Sequence, residues 1–129
     1  MTQENKELLF KDLCARLPYG VKFSCDIKGV WTLKGIIHNG INYICWPNAV
    51  ALEVVKPYLR PMSSMTEEEK KEFSALGVGI HLFKGPLIPS YDTLDWLNAH
   101  HFDYRGLIEK GLAIAVTEEN NPYKKRNYE

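Results

Sequence analysis

The sequence predicts an α+β domain. A leucine stripe at helical spacing opens the chain, a run of short alternating segments fills residues 21–56, and capped helical segments follow from residue 66 onward. Hydrophobic residues make up 45% of the 129 and charged residues 25%, which suits a chain that buries a core rather than one that stays disordered.

The first helix is expected over residues 3–17. Leu8, Leu9, Leu13 and Leu17 recur at three-to-four spacing, while Lys6, Glu7, Lys11 and Asp12 fall largely elsewhere. Pro18-Tyr19-Gly20 stops it, because proline cannot continue the ladder and glycine turns the chain cheaply.

A four-stranded antiparallel meander is expected next, laid against helices or curled into an SH3-like barrel. Val21, Phe23, Cys25 and Ile27 alternate with polar residues. A three-residue loop, Ile27-Lys28-Gly29, pairs Cys25 with Trp31 and Phe23 with Leu33. A two-residue loop would put an apolar face beside a polar one. Asn39-Gly40 predicts a tight hairpin pairing His38 with Ile41 and Gly35 with Ile44. Trp31, Leu33, Ile37, Ile44 and Trp46 then share the core face, and Thr32, Lys34, His38, Tyr43 and Cys45 the outer one. Cys25 points inward and Cys45 outward, so the two should not be bonded. Val50, Leu52 and Val54 mark the fourth strand, and Lys56–Pro61, with two prolines four apart, an extended connector.

Thr66-Glu67-Glu68-Glu69 reads as a capping box for a surface helix ending at Gly77. Ser90 or Asp92 caps a third helix with Leu94, Leu97 and His101 on one stripe. Leu112–Val116 is the last strand, and residues 80–83 are a short strand that could join it at the sheet edge. One domain is expected over residues 1–117, with a frayed tail over 118–129.

Sixteen basic and sixteen acidic residues balance, which disfavours a dedicated nucleic-acid binder. No window approaches the ~18 apolar residues of a membrane span. The polar start, without a signal-peptide core, and three cysteines without CxxC spacing point to a cytoplasmic protein with free thiols.

Three phrases carry a resemblance: Leu13-Cys14-Ala15-Arg16-Leu17-Pro18-Tyr19-Gly20-Val21, the stretch from Val55-Lys56-Pro57-Tyr58-Leu59-Arg60-Pro61 to Thr66, and the stretch from His101-Phe102-Asp103-Tyr104-Arg105-Gly106 to Ala113. Together they resemble a group of small uncharacterised proteins of bacterial prophages and mobile elements. The resemblance implies a one-domain accessory protein and supplies no catalytic residue.

The chemistry-bearing residues are few. His100, His101 and Asp103 have metal-ligating side chains, but adjacent helical residues point about 100° apart and do not converge. Cys14 lies near the buried side of its helix and Cys45 is the more exposed thiol, with nothing nearby to activate it. No nucleophile, phosphate-loop or dinucleotide motif is present, so neither catalytic residue nor cofactor is expected. Arg60 and Asp103 sit in two of the resembling phrases, and a salt bridge would tie those phrases together. Arg60 could instead fork onto a phosphate or a partner carboxylate. The expected function is a non-enzymatic module that binds a host or phage protein, with Tyr58, Arg60 and Trp96 as anchors. The alternative is an SH3-like nucleic-acid binder using Lys34 and Tyr43 on the outer sheet face and the basic tail from Tyr123 to Arg126.

Overall fold

The computed structural model describes residues 1–76 and 91–124. Helix α1 spans Gln3–Arg16, and the Thr2 hydroxyl caps it by accepting from the Asn5 amide at 3.1 Å. It buries Leu9, Asp12, Leu13 and Arg16, a stripe at i, i+3, i+4 and i+7. Asp12, expected outside, is fully buried on that stripe. Leu17–Tyr19 tightens into a 3-10 turn closed by Gly20 at φ +68°, a conformation that a side chain would strain.

The chain then forms β1 (Lys22–Ser24), β2 (Trp31–Thr32), β3 (Gly35–His38), β4 (Tyr43–Trp46), β5 (Val50–Ala51) and, after a 3-10 turn over Leu52–Val54, β6 (Lys56–Pro61). Helices α2 (Glu67–Ala75) and α3 (Tyr91–Ala99) precede two short strands, β7 (Phe102–Asp103) and β8 (Ile114–Ala115). The architecture is α+β, but the strands do not form one meander. One sheet has the order β2-β1-β6-β7, with β8 also pairing β6, and the other has the order β3-β4-β5. No closed barrel forms among the described residues.

The expected connector is the strand on which the larger sheet is built. Lys56–Pro61 runs antiparallel to β1 and parallel to β7 and β8. Its prolines impose extended backbone, and its remaining groups still bond. Leu59 C=O accepts from Val116 N at 2.8 Å, and Arg60 N donates to His101 C=O at 2.8 Å. The fourth strand shortens to Val50–Ala51, because Leu52–Val54 coils so that Val55 N can donate to Leu52 C=O.

Both hairpins slip by two residues from the expected register, which preserves which residues share a face. In the first, Phe23 pairs with Trp31 and Lys22 with Thr32, leaving a longer loop. In the second, His38 pairs with Tyr43, so Asn39–Asn42 form a four-residue loop. Asn39 Oδ1 accepts from the amides of Ile41 at 3.1 Å and Asn42 at 2.8 Å. These side-chain bonds displace the two-residue turn, and Gly40 absorbs a φ of +93°.

The faces of the second sheet are the reverse of expectation. Ile36, Tyr43 and Cys45 face the core, where Phe10 of α1 packs on Tyr43 with ring centroids 4.5 Å apart. Ile37 and Trp46, expected inside, are 51% and 39% exposed. Helix α1 covers one side of this small sheet, and the side bearing the smaller Cys45 receives it. Cys45 is therefore buried and Cys14 exposed, the opposite of the sequence reading; all three cysteines are free. Burial, aided by the neighbouring Cys14, Cys25 and Glu53, pushes the Cys45 thiol up to about 12.

Two cores result. The larger joins Leu9 and Leu13 of α1 to Phe23, Leu59, Leu107 and Leu112. The smaller gathers Phe73, Leu97 and Phe102, flanked by Met62, Met65 and Trp96. The capping box of α2 forms as expected. Glu69 N donates to Thr66 Oγ1 at 3.1 Å and Thr66 N to Glu69 Oε1 at 2.9 Å. His101 lies beyond the end of α3 with φ +63° and does not continue the α3 stripe. The expected strand at 80–83, the helix stop at Gly77 and the Ser90 cap lie outside the described residues, as do Lys125 and Arg126. Within the expected tail, the Tyr123 hydroxyl bonds to both β1 and β6. No helix among the described residues is long and apolar enough to cross a membrane.

Candidate functional site

The two resembling phrases do meet, through their backbones rather than through a salt bridge. β6 and β7 run parallel with Arg60 beside Phe102 and Pro61 beside Asp103. Arg60 does not reach Asp103. Its guanidinium forks onto Glu69 at 2.7 and 2.6 Å and lies over the Phe102 ring, 4.1 Å from the centroid. Asp103 accepts from the amides of Leu107 and Ile108, each at 3.0 Å, and so holds the following turn. Alternation along paired strands explains the difference, since neighbours in register project to the same side and Arg60 meets Phe102 there.

Glu69 thus joins the α2 cap to the central strand. The Arg60 fork and the Thr66 amide hold its carboxyl down to about 2. A depressed carboxyl contributes stability above its ordinary value near 4.5, and that contribution is lost as pH falls toward 2. Glu69→Gln keeps the shape and removes the charge. It is expected to cost about 1–2 kcal/mol at neutral pH in urea titration, with the deficit shrinking below pH 4.

The histidines diverge. His100 Nδ1 approaches Glu69 Oε2 at 3.5 Å and its ring packs on Trp96. His101 stacks on Tyr123, with centroids 3.7 Å apart and planes 10° from parallel. With Asp103 engaged by backbone amides, these three do not converge on one point. No group of three His, Cys, Asp or Glu among the described residues could hold a metal ion.

Of the expected anchors, Arg60 is spent on Glu69. Trp96 is half-buried against Phe73 and Phe102, with Nε1 directed to Glu72 at 3.4 Å. Tyr58 is half-buried on β6 and its carbonyl accepts from the Tyr123 hydroxyl at 2.7 Å. Lys34 is exposed, while Tyr43 lies between Phe10 and His38. Lys34 and Tyr43 therefore do not make one outward stacking surface.

Sequence reasoning missed a buried ionic cluster. Asp12 and Arg16 are both fully buried and pair at 2.8 Å. Arg105 adds a second bond to Asp12 at 2.8 Å, and Arg16 Nη2 donates to Phe102 C=O at 2.6 Å. Tyr104 lies under both guanidiniums, 5.2 Å from Arg16 and 4.7 Å from Arg105. The signal was present: Asp12 and Arg16 stand four apart on the Leu9/Leu13 stripe, a spacing that lets an acid and a base pair on a buried face. The cluster joins α1 to β7 and to the turn that follows it.

Two shallow depressions of about 350 Å³ each open where the parallel strands end. The first is lined by Arg60, Ser64, Thr117, Glu118 and Asn121, the second by Met62, Ser63, Asp103 and Glu109 among others. The Arg60 fork is already filled by Glu69 and Asp103 by amides, so neither depression presents a free charged pair to a ligand.

No protein-family model, curated protein or solved structure matches the chain.

Proposed function

We propose that the chain is a protein-binding accessory module of a phage or mobile element, and that it engages an extended apolar segment of its partner. The observation that carries this reading is the outer side of the β3-β4-β5 sheet. Ile37 pairs with Ile44 and Gly35 with Trp46, so these residues share one face. Ile37 and Trp46 are 51% and 39% exposed, and Ile41 at the hairpin tip is 85% exposed. The sequence of β3, Gly-Ile-Ile-His, carries no formal charge and no proline, and among the described residues β3 is an edge strand of its sheet. Edges without such guards accept another strand, and the adjoining apolar face would take its side chains. The phage or mobile-element origin rests on the three resembling phrases.

The test is site-specific photocrosslinking in host cells. A benzophenone side chain at position 37 is expected to give one discrete protein adduct. A probe at Glu68, on the exposed first turn of α2, should give none. Trp46→Asp, which folds if its circular dichroism is unchanged, should abolish the adduct. The reading fails if position 37 gives no adduct beyond the Glu68 control, if the adduct survives Trp46→Asp, or if the adduct is nucleic acid.

A further inference from the structure

The segment after β8 is held in an unusual way. Phe23 opposite Pro57 sets a register in which Lys22 would face Tyr58. At that position the phenol of Tyr123 is inserted instead. Lys22 N donates to Tyr123 Oη at 2.9 Å, and Tyr123 Oη donates to Tyr58 C=O at 2.7 Å. A side chain from the C-terminal segment therefore completes the β1–β6 ladder. Its ring lies flat on the imidazole of His101.

The rest of the segment is lightly attached. Thr117–Asn120 are exposed, and Asn120 ties the base of the segment to β8 by donating to Ala115 C=O at 3.1 Å. A segment with few buried apolar contacts opens at a lower free energy than the core. We propose that residues 117–124 form a detachable strap latched by Tyr123, and that protonation of His101 releases the latch.

The charges around His101 set the direction. Arg16 of α1, Lys22 of β1, Arg60 of β6 and the adjacent His100 all act on it, and all are basic. Asp12 acts on Tyr123 beside Arg16. Among the described residues, Nδ1 of His101 is buried and accepts from no donor, and Nη1 of Arg16 is likewise buried without an acceptor. Burial first, and then these basic neighbours, hold the imidazole down to about 4. A lowered histidine is neutral in the closed state and takes its proton more readily once the strap opens. Opening is therefore favoured as pH falls from the ordinary value near 6.5 toward 4. Release uncovers the Lys22 N–H and the Tyr58 C=O as a free donor and acceptor on facing strands.

Amide hydrogen exchange of the full chain, read by NMR, tests this. The Lys22 amide, bonded to Tyr123, is compared with the Leu33 amide, which donates to Val21 C=O at 2.9 Å in the same sheet. After correction for intrinsic rates, Lys22 is expected to be less protected than Leu33. Its protection should fall about ten- to a hundredfold between pH 7 and 4.5, with Leu33 changing much less. Tyr123→Phe keeps the ring on His101 but loses both bonds, and should lower protection at Lys22 alone. His101→Asn suits the left-handed backbone at this position and should remove the acid dependence. The proposal is overturned if Lys22 and Leu33 exchange together at every pH in the wild-type chain, or if the acid loss persists in His101→Asn.

Discussion

Asp12→Ala is expected to destabilise the fold by about 3–5 kcal/mol, measured as a lowered urea midpoint with an unchanged slope. The carboxylate is fully buried and serves two guanidiniums, Arg16 at 2.8 Å through one oxygen and Arg105 at 2.8 Å through the other. Removing it leaves a fully buried cation and a mostly buried one facing each other without a counter-charge. Arg16→Met is expected to cost less, about 1–2 kcal/mol. It removes a buried charge whose Nη1 has no acceptor, and Asp12 keeps Arg105. The double variant Asp12→Ala, Arg16→Met should therefore be more stable than Asp12→Ala alone. That ordering separates a charge imbalance from a simple loss of contacts, which would make the double variant the worst of the three. Net stabilities of domains this size run to about 5–15 kcal/mol, so Asp12→Ala should leave the chain close to its unfolding threshold.

The helices were legible because their signals are local. Thr66 caps the helix that follows it, and the leucines of α1 recur with the helical period. Sheet topology was not, because it depends on pairings far apart in sequence. Nothing within residues 56–61 says that this stretch will sit beside residues 102–103 and 114–115. The hairpins show the same limit on a smaller scale. Asn39-Gly40 marks the right turn, yet the Asn39 side chain recruits Ile41 and Asn42 into a wider loop. Parity survived the slip, but which face α1 would cover could not be read from alternation, since both faces of β3 and β4 carry apolar residues. The Arg60–Asp103 bridge failed for a related reason. The two phrases meet as strands, but the side chain opposite Arg60 is Phe102, and the acid that meets it comes from α2. Tyr58, Arg60 and Trp96 are half-buried and engaged with Tyr123, Glu69 and the smaller core, and the exposed apolar side chains that support a docking role lie on the face expected to be core.

Phe102→Ala is expected to cost about 3–5 kcal/mol by denaturant titration. The ring is fully buried in the smaller core, stacked 5.7 Å from Trp96 and covered by the Arg60 guanidinium at 4.1 Å. Its backbone does separate work: the carbonyl accepts from Arg16, and the strand pairs with β6. Alanine keeps the carbonyl and the strand register, so the loss reports the ring alone. Phe102→Leu, which refills most of the volume, should cost about 1–2 kcal/mol. The Arg60 term can then be isolated. Arg60→Ala removes the cation over the ring together with the fork to Glu69, whereas Glu69→Gln weakens the fork and leaves the cation in place. If the cation over the ring contributes, Phe102→Leu and Arg60→Ala should couple by about 0.5–1 kcal/mol, and Phe102→Leu and Glu69→Gln by much less. Equal coupling in the two cycles would mean that Arg60 acts on the smaller core through Glu69 and α2, and that its position over Phe102 adds nothing of its own.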